Sequence, residues 1–162
     1  YAGVMISDDG TPNVLEYNCR FGDPETQPII LRLQSDLVDM CLAAMEQRLD
    51  QIEVKWDVRA ALGVVMAAGG YPVGYQKGDV ITGLPHTEEA GAKETEAKIF
   101  HAGTTLKDDQ VVTSGGRVLC ATALGNTVSE AQSRAYDLAK TIHWKGVYYR
   151  TDIGYRAVER EK

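Results

Sequence analysis

The sequence is poor in cysteine, in basic runs and in long apolar segments, and each shortage excludes a class of protein. The three cysteines among 162 residues are widely spaced and form no CxxC pair, which favours reduced thiols in a cytoplasmic protein. With a net charge of -6 and no basic run, the chain lacks the electrostatic footprint of a nucleic-acid binder. No apolar run approaches the roughly 18 residues that a membrane span needs, so we expect no membrane segment.

The first part of the chain reads as a strand pair followed by a helix. Residues 1–7 and 14–21 alternate between apolar and polar, and the turn signal SDDGTPN separates them, so they predict two antiparallel strands. An apolar stripe at helical spacing runs over residues 37–49. The chain opens on tyrosine inside a predicted strand, and we therefore expect a fragment of a longer protein.

A second unit follows a polar segment that begins near residue 51. The short apolar run at 60–68 predicts a buried strand. Further strands are expected at 80–84, 98–106, 110–115 and 117–125, where turn residues separate the candidates. Thr127 and Glu130 have the spacing of a capping box that begins a long helix. Arg117, in SGGRV, could reach a phosphate, but we predict a solvated side chain at the start of a strand. The overall prediction is an α+β protein with domains at 1–50 and 51–162.

Alternation along residues 14–21 sorts the side chains of the second strand onto two faces. One face is apolar and is expected to enter a core; it carries Leu15, Tyr17, Cys19 and Phe21. The other face carries Glu16, Asn18 and Arg20. A carboxylate and an amide oxygen two residues apart suit Mg²⁺, while the guanidinium of Arg20 matches a carboxylate or a phosphate. The spacing alone makes this a suggestion, because polar strand residues usually face water.

Several longer blocks carry a family resemblance over nearly the whole chain. They include LEYNCRFGDPETQP, GVVMAAGGYP, FHAGT, GGRVLCATALG and AYDLAKTIHWKGVYYRTDIGYRA. Together they resemble the C-terminal part of the glycinamide ribonucleotide synthetases, or phosphoribosylamine–glycine ligases, which are ATP-grasp enzymes of purine biosynthesis. The resemblance implies the C-terminal edge of an ATP-grasp core, made of antiparallel strands and a helix, followed by a small mixed α/β C-terminal domain.

The resemblance also implies a reaction and a site. Such ligases phosphorylate the carboxylate of glycine with ATP, and the amine of 5-phosphoribosylamine then displaces the phosphate to give glycinamide ribonucleotide. Glu16 and Asn18 match ligands of Mg²⁺ or Mn²⁺, and Arg20 matches a catalytic residue that stabilises the anionic substrate. The substrate loop would include Gly22, Asp23 and Glu25, whose two carboxylates could receive the ammonium of glycine or the amine of phosphoribosylamine.

Family members also carry an N-terminal domain and the lobes that enclose ATP, and these are absent from this sequence. We therefore expect the chain alone to be inactive and to expose an apolar face where those lobes would dock, through which it could self-associate. Two alternatives stay open: a non-catalytic binding or structural module, and another ATP-grasp ligase. The Glu16, Asn18 and Arg20 face distinguishes an enzyme from a module, because a scaffold needs no metal ligands there.

Overall fold

The computed structural model describes residues 1–85 and 96–162. The part of the charged EEAGAKETEAK stretch within 86–95, and His86, lie outside the described residues. The elements, in chain order, are β1 (Ala2–Ile6), β2 (Pro12–Tyr17), α1 (Thr26–Arg32), α2 (Leu37–Met45), β3 (Ala60–Ala67), β4 (Ala97–His101), β5 (Thr104–Lys107), β6 (Gln110–Thr113), β7 (Arg117–Gly125), α3 (Val128–Lys140) and α4 (Tyr155–Arg160). This mixed architecture of antiparallel sheets and helices confirms the predicted fold class.

The core lies between a three-stranded antiparallel sheet and α3. The strand order is β3-β7-β4, with β7 in the centre and buried along nearly its whole length. Alternate residues of β3 (Leu62, Val64 and Met66) pack against alanines of α3 spaced four apart (Ala131, Ala135 and Ala139). Small side chains on the helix let it approach the sheet closely, and the larger strand side chains fill the space between them.

The first turn of α3 is capped from three directions. The Thr127 hydroxyl accepts a hydrogen bond from the Glu130 amide at 3.1 Å, and the Glu130 carboxylate accepts one from the Asn126 amide at 2.7 Å. Thr127 is therefore the N-cap, as predicted. The carboxylate of Glu161, which follows α4, accepts from the next two amides, those of Val128 at 2.6 Å and Ser129 at 3.1 Å.

The opposite face of the sheet receives α1, a helix that the sequence analysis did not predict. Pro28 is its third residue, and proline is tolerated in a first turn because the amides there have no intrahelical partner. Gly63 makes room for it: a Cβ at Gly63 would lie 3.6 Å from Pro28 Cδ and 3.0 Å from Cys120 Sγ. The sheet is thus covered by α3 on one side and by α1 on the other.

The β1–β2 hairpin leaves much of its apolar surface in solvent. The expectation that alternation would bury one face of the second strand is wrong for this chain: Leu15 is 65% exposed, Tyr17 72% and Phe21 52%. Cys19 is exposed too. The stripe of α2 behaves similarly, since Met45 is 82% exposed. Residues 1–50 therefore present a broad apolar surface, and large patches of this kind mark interaction sites.

Three further segments differ from the predictions. The strand expected at 80–84 consists of isolated bridges only, and the single strand expected at 98–106 is two strands, β4 and β5, with a turn between them. The tail contains α4, which begins after Gly154 in a left-handed conformation (φ 79°). Among the helices described, none combines the length and the apolar character that crossing a membrane would require.

Candidate functional site

The open end of the β1–β2 hairpin brings the two predicted metal ligands to Tyr1. The Tyr1 backbone nitrogen donates to the Asn18 carbonyl at 2.8 Å, and the Asn18 amide donates to the Tyr1 carbonyl at 2.8 Å. The Tyr1 hydroxyl donates to Glu16 Oε1 at 2.7 Å. This hydrogen bond, followed by desolvation and by the negative charges of Glu16 and Glu25, raises the pKa of the Tyr1 phenol. Register therefore places Tyr1, Glu16 and Asn18 together.

Arg20 does not share a strand face with the other two residues. The strand β2 ends at Tyr17, so only Glu16 lies on it, and the chain bends over residues 19–20. Arg20 Nη1 donates to the Phe21 carbonyl at 2.8 Å, which folds the side chain back onto the following loop. The structure thus corrects the single-face arrangement but keeps Arg20 near the site.

Residues 22–25, which we call the pocket loop, connect Arg20 to α1. Gly22 is buried, and its carbonyl accepts hydrogen bonds from the Thr26 hydroxyl and, at 3.3 Å, from the Thr26 amide. A side chain at Gly22 would collide with the Glu25 carboxylate and lie 3.3 Å from the Tyr1 ring. A larger residue at this position would therefore displace the Glu25 carboxylate from its place beside Tyr1.

These segments enclose an open pocket of about 600 Å³. Of the predicted site residues, Asn18, Arg20, Gly22 and Glu25 line it, together with the apolar side chains of Tyr1, Phe21 and Ile29. Glu16 stands beside the pocket through its contact with Tyr1. The guanidinium of Arg20 and the carboxylate of Glu25 line the same pocket. Such a pocket can bind a small molecule that carries both an anion and an amine.

Asp23, the remaining predicted site residue, turns away from the pocket lining to the C-terminal sheet. Its Oδ2 lies 2.9 Å from Arg117 Nη2. The prediction of a solvated Arg117 at the start of a strand is confirmed, since Arg117 begins β7 and its side chain is 42% exposed. The ion pair with Asp23 was not predicted. No local pattern links the two positions, so the pairing could not be found from the sequence.

Tyr1 was also missed. The register of the hairpin shifts between Gly3 and Val4, and only after that shift does Tyr1 lie opposite Asn18. The turn at SDDGTPN predicts the pairing of the two strands but not this irregularity, so the position of Tyr1 could not be found from the sequence.

The oxygen donors of Glu16 and Asn18 suit a hard divalent cation that takes most of its ligands from water or from a bound substrate. Within residues 1–85 and 96–162 no group of three or more His, Cys, Asp or Glu side chains is arranged to hold a metal ion. A carboxylate oxygen of Glu16 and the amide oxygen of Asn18 would therefore supply only part of a coordination sphere. Mg²⁺ is bound in this way, with water and phosphate oxygens completing its octahedron.

Two segments of this chain match two domain families of one synthetase. Residues 61–156 match the family described as phosphoribosylglycinamide synthetase, C domain. Residues 1–26 match the ATP-grasp (A) domain of the same synthetase. The second match covers the hairpin and the pocket loop, and the first covers the sheet and α3.

Whole-chain relatives give the same result. The chain is 65% identical over 162 residues to phosphoribosylamine–glycine ligase of Vibrio parahaemolyticus and 64% identical over 163 residues to that of Escherichia coli K12. All of this chain is covered, but only 37% of either relative, so the chain spans little more than a third of their length. A crystal structure of phosphoribosylamine–glycine ligase from Thermotoga maritima superposes with a TM-score of 0.72 at 38% identity, covering 94% of this chain and 36% of that one.

Proposed function

The chain belongs to the phosphoribosylglycinamide synthetase family, and we propose that it forms the C-terminal part of an ATP-dependent ligase that joins glycine to 5-phosphoribosylamine. One observation carries the proposal: Asn18, Arg20 and Glu25 line a single pocket beside Glu16, in a chain that is 65% identical to such a ligase. The ligase would act in purine biosynthesis in the cytoplasm, with residues 1–50 as the distal part of the ATP-grasp domain and 51–162 as the C-terminal domain.

The proposed reaction has two steps. A carboxylate oxygen of glycine attacks the γ-phosphorus of ATP, and the bond to the ADP oxygen breaks to leave glycyl phosphate. The amine of phosphoribosylamine then attacks the glycyl carbon, the bond to phosphate breaks, and the amine loses a proton. The products are glycinamide ribonucleotide, ADP and phosphate. Catalysis of this type consists mainly of positioning and of neutralising charge on the transferred group.

Each site residue has a proposed role in this scheme. The Glu16 carboxylate and the Asn18 amide oxygen would hold Mg²⁺ or Mn²⁺, which neutralises charge on the ATP phosphates when it is bound. Arg20 would bind the glycine carboxylate and stabilise the acyl phosphate, because its guanidinium matches either anion. Among the pocket-loop carboxylates, Glu25 lines the pocket and so has direct access to an amine, whereas Asp23 is paired with Arg117.

This chain spans 37% of the length of the curated relatives. We propose that the remainder of such a ligase covers the apolar surface of residues 1–50 and completes the ATP site. Without that remainder, the 162-residue chain should show no turnover and weak binding of ATP. Its uncovered apolar side chains, including Leu15, Tyr17 and Met45, should promote self-association instead.

The test is an assay of the full-length protein that contains this chain, beside the 162-residue chain alone. Both receive glycine, phosphoribosylamine, ATP and Mg²⁺, and ADP release is followed with each substrate omitted in turn. The full-length protein should release ADP only when glycine is present, and the 162-residue chain should release none. Glu25→Ala should raise the KM for glycine or the KM for phosphoribosylamine, whichever amine the Glu25 carboxylate binds. Absence of glycine-dependent release from the full-length protein would refute the proposal.

A further inference from the structure

The ion pair between Arg117 and Asp23 joins two parts of the chain that meet only in the folded protein. Asp23 belongs to the pocket loop, in the segment matched by the ATP-grasp domain, and Arg117 is the first residue of β7, in the segment matched by the C domain. Their side chains approach to 2.9 Å, the length of a charge-assisted hydrogen bond. The pair therefore connects the pocket to the C-terminal sheet directly.

The backbone at Arg117 is fixed on both sides. Its carbonyl accepts from the Gly103 amide at 2.9 Å, and the carbonyl of the preceding Gly116 accepts from the Ala68 amide at 2.8 Å. Opposite Arg117, the β3–β7 ladder shifts register between Met66 and Ala67. Such bulges re-aim a side chain at the end of a ladder.

Glycines allow the backbone segments around Arg117 to pack closely. A Cβ at Gly103 would come within 2.6 Å of both the Arg117 carbonyl oxygen and Gly115 Cα, so the two glycines must lie against each other. A Cβ at Gly116 would enter the ring of Tyr71. The backbone from which the Arg117 side chain reaches Asp23 is thus closely packed.

The backbone hydrogen bonds of the pocket loop are made to the start of α1, which follows it directly. Gly22 and Thr26 hold its ends together, and the Ile29 amide donates to the Glu25 carbonyl at 3.2 Å. The carboxylate of Asp23 lies near the α1-facing side of the sheet, where its charge adds to burial in raising the pKa of the Cys120 thiol. Arg117 is the charged partner that fixes this carboxylate.

We propose that Arg117 is a positioning residue: by pairing with Asp23 it holds the pocket loop on the C-terminal sheet, so that Gly22 and Glu25 keep their places in the pocket. The statement about the loop stands on the fold alone, and its consequence for catalysis rests on the proposed function. Exposed ion pairs contribute little to global stability, so loss of Arg117 should change the loop and leave the thermal midpoint nearly unchanged.

The loop is tested first, in the 162-residue chain, by amide hydrogen exchange of Thr26 and Ile29. Arg117→Met should speed exchange about two- to fivefold, the range that an exposed pair permits, and Arg117→Lys should restore part of the protection. Lys140→Met is the matched control, because it breaks the exposed Lys140–Asp137 pair at 3.0 Å on α3 and should leave both amides unchanged. Unchanged exchange in Arg117→Met would overturn the proposal.

The consequence is tested in the full-length protein by steady-state kinetics. Arg117→Met should lower kcat/KM for glycine by no more than about two- to fivefold while KM for ATP stays constant, because the loss is limited by the same shift in loop population. Asp23→Asn should do the same, and the double variant should be no worse than either single one. Additive losses, or an equal change in KM for ATP, would overturn the positioning role. An inactive wild type would refute the proposed function instead, and the exchange experiment would still decide the inference.

Discussion

Replacing Gly125 with alanine tests how closely the central strand approaches α3. Gly125 ends β7, and a Cβ there would lie 2.8 Å from the Glu130 carbonyl carbon and 2.9 Å from Ala131 Cα, closer still to the Ala131 amide nitrogen. All three atoms belong to the helix backbone and cannot rotate away. The first turn of α3 would have to shift, which would loosen its contact with the sheet and its three-sided cap.

We expect Gly125→Ala to cost about 2 kcal/mol, in the middle of the range for overpacking a core. For a protein of this size that corresponds to a fall of roughly 4–8 °C in the thermal midpoint measured by circular dichroism. Gly74→Ala is the matched control, because a Cβ at Gly74 meets nothing within 4 Å, and it should stay within about 0.5 kcal/mol of wild type. A thermal midpoint in Gly125→Ala equal to that of Gly74→Ala would refute this account of the packing.

Two other predictions concern carboxylates. A hydrogen bond from the Arg59 side chain lowers the pKa of Asp57 to about 2, so its stabilisation is present above the unfolded pKa of about 3.9 and is lost as the pH falls through 2. Asp57→Asn should therefore lower urea stability by about 1 kcal/mol at pH 7, with the difference shrinking between pH 4 and pH 2. Glu161→Gln weakens the cap on α3 and should cost about 0.5–1 kcal/mol, whereas Glu159→Gln should be neutral; equal urea midpoints for the two would contradict the cap.

The sequence was most informative where one local rule decided the structure. Thr127 with Glu130 predicted the start of α3, and the apolar run at 60–68 predicted β3, because capping and burial both leave strong local patterns. In contrast, α1 was missed because Pro28 and the turn-forming residues before it look like a loop. The packing of α1 on the sheet, through Gly63, depends on a residue far along the chain.

Alternation separated the faces of β2 but could not say which face is covered. Leu15 and Tyr17 are exposed because burial depends on what packs against a strand, and period-two patterning carries no such information. The candidate site shows the same limit. Glu16 and Asn18 were predicted as metal ligands from local spacing and from family resemblance, whereas the Arg117–Asp23 pair follows from tertiary structure alone.

The most direct test of the central claim is a Mg²⁺ titration of the full-length protein, comparing wild type with Glu16→Gln and Asn18→Ala. Glycine-dependent ADP release is measured at each concentration. Wild type should turn over at low Mg²⁺, and both variants should need a higher concentration, because each has lost one oxygen ligand or its charge. Variants that titrate like wild type would contradict the placement of the metal on the β2 end of the hairpin.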